Sequence, residues 1–542
     1  MKQRIINPVR VIFLVLLPVA LAGVCVLAMY YLQIVQGQRY YEMSRNNVVT
    51  TEIVAASRGS IYDRYGRLLV GNRVTYNLAL NREKLVMSGD PNYYLEKMLA
   101  YAEEFGVEYN ADILPIDWEA PFDFVENMTE TQRSRIEKYR DKFKLSDPNW
   151  TGAQLFEWLR THYSIPKEMD EVKARKIVGI RWELELRTLF SYSVYYFAED
   201  VGSELVAPIL EQNFPGVSLV PVSVREYHTQ YAAHLIGRVA AIAPEDLEKY
   251  MDLGYPLNAQ VGKDGLEAAF ESELHGTDGQ RVITRNENGT ITDMVYTSEP
   301  SPGNNVRLTV DIEMQQVAEQ TLADTIKSIN DSRDAKAKEK ADNKPVQYAG
   351  GAAAVAIDVR TGDVLVSATY PTFDLETFSS DYAELSVDPL APLINRAIQG
   401  LYEPGSTFKP LIAIAGLSEG KIMEDTVITC TGRFTMFDDY QPTCWSYPYS
   451  HGALTVVQAI TQSCNIFFYQ VGYELGPTKI ARYAEQFGFG SKTGTELSEF
   501  ESAGHVATEE RKIELMDEKW RSGDTLQSAI GQSFHTYTPL QI

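Results

Sequence analysis

The sequence predicts an α+β fold carried on a single membrane anchor, and three observations lead to it. An uncharged apolar run, "VIFLVLLPVALAGVCVLAMYYLQIVQGQ", fills residues 11–38. Short β-branched stretches broken by glycine then dominate 53–80 and 234–289, the composition of an extended, β-rich pedestal. From residue 301 a strand, a helix, a hairpin and long helical stretches follow in turn. That order suits an antiparallel sheet with helices on both faces.

The apolar run is long enough to cross a bilayer as one helix. Lys2, Arg4 and Arg10 precede it, so residues 1–10 are expected in the cytoplasm and everything beyond residue 38 outside the cell. No clear small-x-small cleavage site follows the run, which favours an uncleaved anchor over a signal peptide. The 542 residues beyond and including this anchor suffice for two to four domains. With 50 basic against 73 acidic residues the formal charge is −23, which excludes nucleic acid as a partner.

The pedestal is expected over 39–300. Within it "IVAASRGSIYDRYGRLLVGNRVTYNLAL" (53–80) reads as extended segments with a turn at Asp63–Gly66. Residues 83–215 hold acidic helical segments such as "YYLEKMLAYAEEFG" and "TQRSRIEKYRDKF", read as an insert whose charges are solvated. The second domain, 301–542, opens with a strand and a helix capped by Asp311. The run "DSRDAKAKEKADNK" (331–344) extends that helix or loops off it, and "GGAAAVAIDVRTGDVLVSATYP" (350–371) is a hairpin turning at Thr361-Gly362.

Of four cysteines, Cys25 lies in the apolar run and Cys464 in a polar motif. Cys430 and Cys444 read either as a disulfide or as two free thiols. No Cys-x-x-Cys, His-Glu-x-x-His or paired-histidine spacing occurs, so no metal site is expected; no phosphate-binding glycine loop occurs either, and no cofactor is expected.

The chemistry concentrates in "YEPGSTFKPLIAIAGLSEGK" (402–421). Ser406 and Lys409 stand one helical turn apart at the mouth of an apolar helix, so their side chains share a face. A serine becomes nucleophilic when a base removes its proton, and a partly desolvated, neutral lysine can serve. The pattern alone is weak: an N-cap with an outward lysine would look the same, and Ser418–Lys421 repeats it where Gly420 ends the helix. A second polar triplet, Ser463-Cys464-Asn465, interrupts another apolar helix. Ser463 is placed to relay protons and Asn465 to hydrogen-bond lysine and substrate.

Together these motifs resemble the class B penicillin-binding proteins. The resemblance spans nearly the whole chain through "RGSIYDRYGRLL", "HLIGRV", "GLEAAFESELHGTDG", "VRLTVDIEMQQVAE", "AIDVRTGDVLVSATYPTFD", "NRAIQGLYEPGSTFKP", "SCN" and "AIGQSFHTYTPLQ", and is weakest in 83–215. It looks most like the elongation-type enzymes, ahead of the division and sporulation types. It implies a penicillin-binding transpeptidase domain in which Ser406 is acylated, Lys409 is its base, and Ser463 and Asn465 complete the relay. The implied substrates are peptidoglycan stem peptides ending in D-Ala-D-Ala, with β-lactams as covalent mimics. The implied partner is a multi-pass membrane glycosyltransferase. A hydrolase of the carboxypeptidase or serine β-lactamase kind, or a non-catalytic activator of the glycosyltransferase, are the alternatives.

One feature departs from the family pattern. Lys492-Thr493-Gly494 matches the third family motif in letters, yet follows "AEQFGFGS" with no strand pattern around it, and is read as a coincidence. The sequence reaches Ile542 just after Thr538-Pro539, an expected helix start. The strand that carries the third motif in the family is therefore expected beyond residue 542, and the chain as written is expected to be impaired.

Overall fold

The computed structural model describes residues 49–542 apart from 112–113, 146–149, 191–193, 257–258, 286–290 and 341–346, with scattered positions between Gly23 and Gln36. The expected tail at 1–10 and Cys25 lie outside the described residues, as does most of the anchor expected at 11–38. Among the described residues no helix is long and apolar enough to cross a membrane. The chain forms two compact units, Asn72–Glu226 and the remainder.

The unit Asn72–Glu226 is built from the helices Pro91–Glu104, Glu130–Phe143, Gly152–His162, Glu171–Phe190 and Ser203–Glu211. Asp90, Thr129 and Thr151 cap the first three through their side chains, which explains where those helices begin. The strand Tyr195–Val201, which the acidic helical reading of 83–215 did not anticipate, pairs antiparallel with Tyr76–Leu80. Leu95, Phe156, Trp182 and Phe197 fill the core between them.

The charges of this unit are not all solvated, which corrects the sequence reading. Arg160, Arg175, Glu183 and Glu185 are at most 6% exposed. Each of the buried arginines replaces lost water with carbonyl oxygens: Arg175 Nη2 donates to Leu114 and Ile116, and Arg160 Nη2 to Pro166, Lys167 and Met169. Glu185 accepts from Tyr139 Oη (2.6 Å), Tyr163 Oη (2.8 Å) and Arg82 (3.0 Å). Burial pushes its carboxyl up, but those hydroxyls, with the charges of His162 and Arg82, outweigh burial and hold it below the usual range.

In the other unit segments read as extended in the sequence pair as strands. Val49–Val54 pairs with Gly279–Arg285, which pairs in turn with Ile291–Ser298. Ile61–Tyr62 lies between Val306–Arg307 and the start of the strand Leu68–Leu80, with the turn at Asp63–Gly66 between its strands. The "RGS" triplet has a packing reason. A Cβ on Gly59 would meet Asn304 O at 1.9 Å, and Arg58 reaches Glu267 and Glu271, both at 2.6 Å.

Helix α1, Ile312–Lys340, starts where Asp311 Oδ1 accepts the Glu313 N–H. It lies across the hairpin Ala352–Ile357/Val364–Tyr370, and Gln315 exchanges hydrogen bonds with the Ser367 backbone. Among the described residues this hairpin is a two-stranded sheet, narrower than the sheet covered on both faces that the sequence suggested. The helices α2 (Lys409–Ser418), α3 (Asn465–Leu475) and α4 (Ser522–Ser528) share a separate core of Ile412, Phe468, Val471 and Leu526. A Cβ on Gly472 would fall 2.2 Å from Ala529 Cβ, so glycine sets the close approach of α3 to the end of α4.

Glu185 supplies a test of the buried charges. Because its carboxyl is depressed in the fold, its contribution is present above the ordinary carboxylate range and lost as pH falls through the folded value. Glu185→Gln is expected to cost about 1–3 kcal/mol at neutral pH and to flatten the acid limb of stability, read by urea denaturation between pH 3 and 7.

Candidate active site

Helix α2 is preceded by one turn of 3-10 helix, Gly405–Phe408. In that tighter turn residues i and i+3 eclipse, so Ser406 and Lys409 line up along one edge. Phe408 and Lys409 are buried, whereas Ser406 is exposed at the mouth of a cleft of about 520 Å³. The neighbouring Thr407 spends its hydroxyl on Pro404 O at 2.7 Å.

The facing wall is the turn into α3. Ser463 sits at φ +47°, a left-handed conformation that a non-glycine residue adopts only when its surroundings impose it. That turn aims a carbonyl, a hydroxyl and an amide oxygen at one point, and Lys409 Nζ occupies it. Nζ donates to Ser463 O (2.8 Å), Ser463 Oγ (3.0 Å) and Asn465 Oδ1 (2.7 Å). Ser463 Oγ in turn donates to Ser406 Oγ at 3.1 Å. The four residues singled out in the sequence thus form one continuous hydrogen-bonded array, in which Ser463 stands between lysine and serine. Burial lowers the Lys409 ammonium to about 8, against smaller opposing effects of Cys444 and Cys464.

The other sequence candidates stay out of the cleft. Helix α2 ends at Ser418 with Gly420 at φ +63°, and neither Ser418 nor Lys421 lines the cleft. Lys492-Thr493-Gly494 is a loop closed on itself. The Thr493 N–H and hydroxyl both go to the buried Glu501 carboxylate, and Lys492 Nζ donates to Ser498 O at 2.6 Å. Thr538 caps the turn to Gln541, receiving that residue's N–H at 3.2 Å; the expected helix start is a turn over residues 539–541.

The cleft also uses residues that sequence reasoning passed over: Trp445, Tyr469, Gln527 and Gln532. Trp445 Nε1 donates to Gln462 O at 3.1 Å, tying this wall to the residue before Ser463. A tryptophan next to a cysteine carries no local signal of a cleft. Gln532 lay inside "AIGQSFHTYTPLQ", a segment already singled out, but without an assigned role.

Behind Trp445 lies a cluster that no local spacing announces. Cys430, Cys444 and Cys464 are buried free thiols, not a disulfide. Their sulfurs and the His451 ring nitrogen lie within 4.8 Å of one another. His451 Nδ1 is 3.7 Å from Cys430 Sγ and 3.6 Å from Cys444 Sγ. In a tetrahedral zinc site with ordinary Zn–S and Zn–N bonds the S···N edge is about 3.6 Å. The sequence argument against a metal rested on motifs close in the chain, and here the donors arrive from a strand, a loop and the helix turn. Without a metal, the Cys444 and Cys464 sulfurs share a hydrogen bond that drives the first thiol down and the second up. Titration of the reduced protein with Co²⁺ is expected to give one equivalent of tetrahedral thiolate absorption, lost in Cys430→Ser with Cys444→Ser. A full-strength signal in the double variant would rule out the cluster as the ligand set.

With this geometry in hand, comparison with known proteins is specific. The family model "Penicillin-binding Protein dimerisation domain" matches residues 53–308, and "Penicillin binding protein transpeptidase domain" matches 352–542. The peptidoglycan D,D-transpeptidase MrdA of Escherichia coli K12 is 29% identical over 96% of this chain and 69% of its own length. Its namesake in Acinetobacter baumannii is 27% identical over 97% and 65%. Among solved structures, one of a peptidoglycan synthase complex coordinating polymerization and crosslinking matches with TM-score 0.60 at 26% identity, covering 98% of this chain and 76% of that one. A penicillin-binding protein (PBP2) from Helicobacter pylori in complex with MreC shares the fold at TM-score 0.60 and 22% identity, covering 91% and 76%. Both family domains, in that order along one chain, make this protein a member of the class B penicillin-binding proteins, of the MrdA-like type.

Proposed function

We propose that the protein is a serine-type peptidoglycan D,D-transpeptidase that also binds penicillins. The observation that carries the reading is the array from Lys409 Nζ through Ser463 Oγ (3.0 Å) to Ser406 Oγ (3.1 Å), open to a cleft. Similarity to the MrdA transpeptidases over 96–97% of the chain supports the same activity.

In this reading neutral Lys409 is the base. Ser406 Oγ attacks the carbonyl of the penultimate D-Ala while its proton passes to Ser463 Oγ and the Ser463 proton passes to Lys409. The tetrahedral oxyanion forms beside the Ser406 N–H, at the start of the helical turn, where the backbone dipole favours negative charge. Collapse breaks the peptide bond, and the departing amine of the terminal D-Ala takes a proton back along the same route. An amine of a second stem peptide then enters, loses a proton to the array and displaces Ser406, completing the cross-link. A β-lactam enters as the first substrate does, but its leaving amine stays tethered. Asn465 holds Lys409 in line and offers its amide to the substrate backbone.

The same reading takes residues 11–38 as a single-pass anchor, places the bulk of the chain outside the cell, and divides pedestal from catalytic domain near residue 301. Its partner is a multi-pass membrane glycosyltransferase. The 26% identity to a chain of the synthase complex that coordinates polymerization and crosslinking supports that pairing.

The test is acylation by a fluorescent penicillin, using the protein expressed from its complete reading frame. Ser406→Ala is expected to abolish labelling; labelling that survives it would remove the serine from its role. Lys409→Ala and Ser463→Ala are expected to slow acylation by about 10²- to 10⁴-fold. Because the neutral amine is the active form, the acylation rate should climb with pH and level off above about 8. A profile flat from pH 6 to 10 would contradict Lys409 as the base.

A further inference from the structure

The loop that presents Ser406 is fastened from behind by residues 531–537. Tyr402 and Tyr537 exchange two backbone hydrogen bonds, both 2.9 Å, and the Gly405 N–H donates to Gly531 O at 2.7 Å. The approach leaves no room for a side chain: a Cβ on Gly531 (φ +71°) would stand 2.2 Å from Gly405 O. Between these two fastenings the chain has no helix; its backbone is tied at Thr536, which exchanges hydrogen bonds with His505 (2.7 and 3.1 Å), and side chains set the rest.

His535 is the side chain at the centre, with no exposed surface. The Ala507 N–H donates to its Nδ1 at 3.2 Å, so that nitrogen carries no proton. The Tyr537 hydroxyl, 2.6 Å from the same nitrogen, therefore donates as well. The one ring proton is left on Nε2, which donates to Ser528 Oγ at 2.7 Å. The ring thus joins three segments: the 505–507 stretch, the end of α4, and Tyr537, whose backbone grips Tyr402. Its other contact is Phe408, 4.6 Å between ring centroids, the residue between Thr407 and Lys409. Burial lowers the imidazole to about 3, so this tautomer persists across the working pH range.

We propose that His535 is a positioning residue for Ser406: by bridging Ser528, Ala507 and Tyr537 it sets residues 531–537, whose backbone holds Tyr402 and Gly405 and so fixes where the serine hydroxyl stands. His535 never touches substrate. This rests on the reading of Ser406 as the acylated serine. It also explains why α4 matters to the cleft, since Gln527 and Gln532, either side of Ser528 and Gly531, line it.

Stopped-flow acylation by benzylpenicillin separates initial affinity from the acylation step. His535→Phe keeps the ring but strips both nitrogens, and is expected to slow the acylation step about 10- to 100-fold, the scale of a small misplacement of a reacting group, with affinity unchanged. His535→Asn sets an amide oxygen where Nδ1 was, satisfying the Tyr537 and Ala507 donors but not Ser528, and is expected to lose clearly less than His535→Phe, within about tenfold of the parent. Tyr537→Phe, which removes one hydroxyl, should fall between them. Parental rates in His535→Phe, or equal losses in the Phe and Asn variants, overturn the proposal. If His535→Phe does not fold, a parental rate in Tyr537→Phe overturns it. Should the parent itself resist acylation, the transpeptidase reading fails, and deuterium exchange of residues 400–408 decides the positioning alone. Faster exchange there in Tyr537→Phe supports it, and unchanged exchange defeats it.

Discussion

A lysine amine taken out of water needs oxygen atoms to replace its hydration, and at Lys409 all of them come from the turn that begins α3. Ser463 supplies a carbonyl and a hydroxyl, Asn465 an amide oxygen, and the Phe468 ring lies 5.8 Å from Nζ. Those bonds tie α2 to α3 at one point, and the rest of the cleft is arranged around that point. They also explain why Ser463 keeps a left-handed backbone that costs roughly 1 kcal/mol or more. In an ordinary helical turn its carbonyl and hydroxyl would not converge on the amine. The lowered lysine follows from the same burial, which outweighs the smaller raising effects of Cys444 and Cys464.

Around this pair the cleft is braced from two directions. On one side the three thiols and His451 lie behind Trp445, and Cys464 is the residue between Ser463 and Asn465. Any constraint on that sulfur is therefore felt by both of its neighbours in the array. On the other side Gly531 and Tyr537 hold the loop before Ser406 by backbone contacts. The two braces share no residue, which separates control of the lysine wall from control of the serine.

The unit Asn72–Glu226 follows a different rule. Its buried ionic groups sit among hydroxyls and carbonyls that leave few routes to water, so they specify which helices meet as much as they stabilise them. Glu185 joins Tyr139, Tyr163 and Arg82 from three separate segments. A count of charges along those helices gives solvated faces. For Arg175 and Glu185 the partners that turn the charge inward, Leu114 with Ile116 and Tyr139 with Arg82, lie far off in the sequence.

What the sequence determined by itself was whatever depends on neighbours in the chain. The turn at Asp63–Gly66, the Asp311 cap, the hairpin at Gly362 and the end of α2 at Gly420 are local matters of φ, capping and period, and all were legible. So was the pairing of Ser406 with Lys409 and of Ser463 with Asn465, since each is set within one turn. Tertiary structure alone decided that Ser463 stands between Lys409 and Ser406, that Lys492 to Gly494 closes on Glu501, and that three cysteines and a histidine meet. Those arrangements depend on how helices pack across a shared core, and the directions of side chains meeting from distant segments leave no periodic trace along the chain.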